Sequence, residues 1–119
     1  MDISKLQPTA EFKRSINGEA FILNVEYVGM DMLDNEIRET AKTKITEYMR
    51  DACFGAVTGW DFVDGDKPVP CDRENKGWLL PRFLMSVSDE RKASDPKDAS
   101  PILVELYLFI NDADEFLKK

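Results

Sequence analysis

The chain predicts an α+β fold: an N-terminal β-hairpin packed with three to four α-helices, helix-dominated overall. Three observations predict it. Asn17-Gly18 stands between two runs of alternating apolar and polar residues, and that dipeptide supplies the two positive-φ positions of a tight hairpin turn. From Leu33 to Arg50 the apolar residues recur at helical spacing, as on an amphipathic helix. After Ser100-Pro101, Ile102 to Ile110 is apolar at almost every position.

Residues 1–8 are polar and are expected to be a flexible start. Along Thr9–Ser15, Ala10, Phe12 and Arg14 share one face. On the return strand, Ala20–Val28, Phe21, Leu23, Val25 and Tyr27 share a face, because successive side chains of a strand alternate. Two strands are marginal alone, so this face must lie against helices or a partner chain. Gly29 ends the strand and Asp31 can cap the next helix. That helix carries Leu33, Ile37, Ala41, Ile45, Tyr48, Met49 and Ala52 on its apolar stripe, with Glu36, Glu39, Lys42, Lys44 and Glu47 opposite.

Gly59 to Leu80 is locally the most legible stretch. Trp60, Phe62 and Val63 form a short apolar anchor, and Asp64-Gly65-Asp66 is a turn signal. Pro68 and Pro70 keep the chain extended around Val69, since each fixes φ and restricts the residue before it. Asp72 can cap a helix with Glu74 in its first turn and Trp78, Leu79 and Leu80 at its end. Gly77 should keep that helix short, with Pro81 starting another turn through Phe83, Leu84, Met85 and Val87. Ser88–Ser100 is charged with almost no apolar content, which predicts a mobile surface loop. Ser100 as cap and Pro101 as first helical residue would then open the last helix, whose stripe continues at Phe116 and Leu117. An all-round apolar helix needs packing on more than one side. Either the hairpin and the other helices enclose it, or a second subunit covers part of it.

At 119 residues the chain can bury one modest core, which predicts a single domain over residues 1–119. The net charge is −7, from 16 basic and 23 acidic side chains. That balance argues against nucleic-acid binding, which needs clustered Lys and Arg to displace counterions. No run approaches the roughly 20 apolar residues of a membrane span, and Met1-Asp2-Ile3-Ser4-Lys5 has no apolar run of the signal-peptide kind. A cytoplasmic protein with reduced thiols at Cys53, in the core, and Cys71, in the connector, is therefore expected.

There is no histidine, which removes Ser/His/Asp and Cys/His catalytic pairs and the commonest zinc ligand. Gly55-Ala56-Val57-Thr58-Gly59 lacks the Lys-Ser/Thr of a phosphate loop. Asp61, Asp64, Asp66 and Asp72 lack the spacing and closing Glu of a calcium loop, and turn formation accounts for them. The expectation is a protein without catalytic, metal or cofactor site.

One resemblance does emerge. Trp60, Asp64-Gly65, Pro68-Val69-Pro70, Glu74-Asn75 and Leu79-Leu80 stand in an order similar to that of the tail assembly chaperones of long-tailed bacteriophages. It covers about a fifth of the chain closely. Phe62 departs from the pattern, where a small or aliphatic residue is expected. The resemblance implies a phage or prophage protein, working in the host cytoplasm, that binds and solubilises the tape measure protein during tail assembly. It also implies contact with the tail tube protein and a homo-oligomer. Under that reading the expected partner or oligomer surface comprises Trp60, Trp78, Leu103, Leu106, Tyr107, Phe109, Ile110 and Phe116, with Trp60 equally able to serve as a core anchor. The alternative is a small structural head–tail or tail-terminator component of the virion.

Overall fold

The computed structural model describes residues 9–28 and 45–116. Strands β1 (Thr9–Ile16) and β2 (Glu19–Glu26) form the expected hairpin, in register from Ile16 opposite Glu19 to Thr9 opposite Glu26. Asn17 at φ 51° and Gly18 at φ 84° make the turn, both in the left-handed region that a two-residue hairpin loop uses. Phe12, Phe21, Leu23 and Val25 are buried, as the alternation requires.

Helix α1 (Ile45–Ala56) runs directly into strand β3 (Val57–Trp60), which pairs antiparallel with β2 and completes a three-stranded sheet in the order β1-β2-β3. The register shifts between Asn24 and Val25. At this irregularity Gly59 approaches Asn24 so closely that an added Cβ would stand 3.0 Å from its Nδ2. The expected beginning of the helix, with Gly29, Asp31 and Leu33 to Lys44, lies outside the described residues, as do residues 1–8 and Leu117.

Beyond β3, Asp61 continues the pairing by mimicry: its N–H donates to the Ile22 carbonyl at 3.3 Å, and its Oδ1 accepts the Ile22 N–H at 2.9 Å. Two short strands, β4 (Val63–Asp64) and β5 (Lys67–Pro68), then form a miniature hairpin around Gly65. The extended connector leads to α2 (Arg73–Phe83), where Asp72 accepts the Asn75 N–H at 2.8 Å as the expected cap.

Three local expectations are corrected. Helix α2 passes through Gly77 and Pro81 without a break. Proline inside a helix costs about 3 kcal/mol, but Leu80 and Leu84 on either side are buried, and each contributes about 1.5–3 kcal/mol. The charged segment after Val87 contains a helix, α3 (Asp89–Ser94), where the sequence predicts a loop. Ser88 caps it, accepting the Arg91 N–H at 3.1 Å. Helix α4 (Ile102–Ile110) starts one residue later than expected, with Pro101 in the cap position and no side-chain cap. Its first amides find backbone partners across the fold: Ile102 donates to the Ser86 carbonyl and Leu103 to the Leu84 carbonyl, each at 2.8 Å. The end of α2 thus satisfies donors that a helix start otherwise leaves orphaned.

The core lies between the inward face of the hairpin and the helices. Ile102, Leu103, Leu106 and Ile110 of α4 are buried in it. Helix α1 packs mainly on α4, with Cys53 against the Leu103 carbonyl. Burial pushes the Cys53 thiol up to about 12, so it remains protonated packing material; both cysteines are free. A 3₁₀ turn (Ala113–Phe116) folds Phe116 under the sheet, its ring 5.2 Å from Tyr27 and 5.7 Å from Phe109. Helical residues outnumber strand residues only modestly among those described.

Candidate functional site

A groove of about 730 Å³ lies between the hairpin turn, the Asp61–Asp64 connection and α2. Its floor is aromatic. Phe21 from β2, Phe62 from the connection and Phe83 from α2 form a mutual cluster, with centroids 4.7 Å apart for Phe21–Phe83, 4.9 Å for Phe62–Phe83 and 6.3 Å for Phe21–Phe62. Val63, Val69, Trp78 and Leu79 extend the apolar wall. Val63 is 61% exposed and Trp78 53%, so two large apolar side chains stand at the rim in water.

The segment from Trp60 to Trp78 is braced by its own polar atoms. The Trp60 Nε1–H donates to the Val69 carbonyl at 2.7 Å, fixing the connector beside β3. The Asn75 side chain donates to the Pro70 carbonyl at 2.9 Å and accepts the Trp78 Nε1–H at 3.0 Å. The exposed indole is therefore held in one orientation from within its own helix.

The eight residues expected at a partner surface separate into three groups. Leu103, Leu106, Ile110 and Phe116 are buried in this chain's own core and offer no surface. That is a correction: the inner side of α4 is covered by the hairpin and α1. Trp60, Tyr107 and Phe109 are half-buried. Trp60 rests on Phe62, at 5.2 Å, and acts as an anchor. Phe109 meets Phe12 edge-on at 5.3 Å, and Tyr107 lies 6.1 Å from Tyr48. Burial raises the Tyr107 hydroxyl above its ordinary value, with Tyr48 adding to the shift. Trp78 alone of the eight is mainly exposed. On α4 the outward residue is Leu108, at 64% exposure. Phe21, Phe62 and Phe83 were not among the residues expected at a partner surface, since they come from three separate segments and read locally as a strand face, an apolar anchor and a helical turn.

No family model, curated protein or solved structure matches this chain.

Among the described residues, no group of three or more His, Cys, Asp or Glu is placed to hold a metal, and no helix is long and apolar enough to cross a membrane. Glu19, Asp61 and Asp64 border the groove, and Asp61 Oδ1 is engaged by the Ile22 amide.

A second polar constellation lies on the outer side of the hairpin turn, where α3 docks. Asp89 spreads its two oxygens over the Asn17 and Gly18 amides, both at 2.9 Å. Glu90 accepts the Ser15 N–H at 3.0 Å and the Ser15 hydroxyl at 2.8 Å. The Gly18 N–H, aided by that of Asn17 and opposed by desolvation, holds Asp89 below its ordinary value of 3.8. For Glu90, desolvation pushes upward but is outweighed by the Ser15 donors and the nearby Arg14 charge, leaving it below 4.5. Both carboxyls are depressed in the folded chain, so their contribution is complete above the unfolded values and is lost as pH falls through the lower folded ones. The expected outcome is release of α3 from the turn in acid. In an NMR titration, the Asn17 and Gly18 amide protons should shift upfield together below about pH 4. Asp89→Asn should abolish that step while leaving the Ser15 amide to titrate with Glu90. Amide shifts that stay flat to pH 2, roughly two units below an ordinary carboxyl, would contradict the docking geometry.

Proposed function

We propose that this chain is a tail assembly chaperone of the long-tailed bacteriophage type. In this reading it binds the tape measure protein in the host cytoplasm and keeps it soluble until the tail tube protein assembles around it. One observation carries the reading. The residues that bear the resemblance lie within one braced segment, held by the Trp60–Val69 and Asn75–Pro70 bonds and the Asp72 cap, and of them Asp64, Val69 and Leu79 line the groove beside Val63 and Trp78 of the same segment. Local order of this kind supports a binding element better than a connector would.

The action is coverage without a bond-making step. A coating protein needs apolar surface for its client and like charge to keep the complex dispersed. Val63 and Trp78 at the rim and the net charge of −7 suit those two needs. Met85 and Leu108, each more than half exposed, lie outside the groove lining and are available for self-association, which would multiply weak contacts along a client.

Co-expression with a tape measure protein tests the reading. The client should move into the soluble fraction and co-purify with this chain. A client that remains in inclusion bodies and fails to co-purify would remove it. Persistence of the chain in finished particles would favour the virion component, since a chaperone leaves the completed tail.

A further inference from the structure

We propose that the aromatic groove takes a cationic amphipathic segment of a partner protein, with apolar side chains on the Phe21–Phe62–Phe83 floor and flanking lysines or arginines at the rim. The proposal rests on the client-binding reading and names the site and the chemistry of the client segment.

Charge complementarity argues for this occupant. Glu19, Asp61 and Asp64 border the groove, and no lysine or arginine is among its described lining residues. Glu19 and Asp64 are exposed, so they can meet a partner's cations without prior desolvation. The Asp61 carboxylate is fixed by the Ile22 amide and sits in the wall as a stationary charge. A low-dielectric wall bearing one sign of charge favours encounter with the opposite sign.

A second copy of this chain suits the groove poorly. Two-fold pairing would set the patch against itself, bringing the same carboxylates face to face. A specific small molecule is also disfavoured. Such sites combine apolar walls with a few convergent polar groups, whereas here the Trp78 indole N–H is already engaged by the Asn75 side chain and Asp61 Oδ1 by the Ile22 amide. What remains is apolar area, a fixed aromatic at the rim and anionic borders. Exposed aromatic side chains held in place dominate peptide and protein interfaces because little entropy is lost when they are covered.

The test uses a synthetic amphipathic peptide of leucine and lysine, titrated into the protein by calorimetry with tryptophan fluorescence followed in parallel. Saturable one-to-one binding with a blue shift of emission is expected, together with little or no binding of the leucine–glutamate counterpart. The pair Glu19→Lys and Asp64→Lys should weaken binding about tenfold or more, as should Trp78→Ala. The pair Glu26→Lys and Asp51→Lys alters the net charge identically at exposed positions outside the groove and should leave the affinity nearly unchanged. Equal weakening by both pairs would reduce the effect to general charge attraction and overturn the proposal. Equal binding of the glutamate peptide would do the same. The groove variants co-expressed with the tape measure protein separate the two ideas. If wild type and variants hold the client alike, the groove assignment falls and the chaperone reading stands. If wild type binds the lysine peptide in the groove but leaves the client insoluble, the chaperone reading falls and the groove assignment stands.

Discussion

Phe12→Ala is expected to destabilise the fold by about 3–5 kcal/mol, the largest effect of any single truncation considered. Phe12 is fully buried at the centre of β1, opposite Leu23. Its ring meets Phe109 edge-on at 5.3 Å and lies 6.4 Å from Phe21, while the Arg14 guanidinium stands 4.4 Å above it. Removing the ring leaves a void touching the hairpin, α4 and a charged group, none of which can collapse without breaking other contacts. Total stability for a domain of this size is about 5–15 kcal/mol, so a substantial part would be lost. Urea unfolding followed by circular dichroism measures it. Phe12→Leu should recover most of the loss, because volume rather than aromaticity is what the site requires. A cost below about 1 kcal/mol for the alanine variant would mean that the hairpin face is not sealed by α4.

Glu105→Leu is expected to cost about 2–3 kcal/mol although it adds apolar surface to an apolar helix. Glu105 faces inward from α4, accepting the Ser88 hydroxyl at 2.7 Å on one oxygen and lying 3.5 Å from Arg14 Nε on the other. Ser88 is fully buried, so its hydroxyl cannot turn to water once the carboxylate is gone. The Arg14 side chain keeps 30% of its surface exposed, which lets solvent replace part of the lost attraction and limits the penalty. Glu105→Gln keeps an acceptor for Ser88 and should cost under about 1 kcal/mol. Chemical denaturation of the two variants side by side gives the comparison. Equal losses would place the weight on the Arg14 charge pair instead of the serine.

The two substitutions also mark where the sequence was legible. Phe12 belongs to a pattern that is local and periodic: an Asn-Gly turn, strict alternation, and an inward face readable from spacing alone. Asp72 is equally local, since a cap and its amide lie three residues apart. Glu105 is not readable in this way. Its partners Arg14 and Ser88 are distant in the chain, and a lone acid in an apolar run looks like the solvent side of a helix. The same holds for α3, whose charges predict a loop. Asp89 is held by the Gly18 amide of the hairpin turn and Glu90 by the Ser15 amide of β1, both more than seventy residues earlier, and no window of local sequence contains both halves of that contact. For α4, near-uniform apolarity erased the periodicity that would have told the inner face from the outer, so Leu103, Leu106 and Ile110 were expected at a partner surface that they do not reach.

The backbone exchange between the end of α2 and the start of α4 couples two elements that the sequence treats as separate. Carbonyls of Leu84 and Ser86 accept from Leu103 and Ile102, so one helix terminates on the terminus of the other. Unwinding either end strips hydrogen-bond partners from its neighbour, and the two ends must loosen together. Because Phe83 of that same turn floors the groove, the shape presented to a partner is tied to the integrity of a helix on the far side of the core.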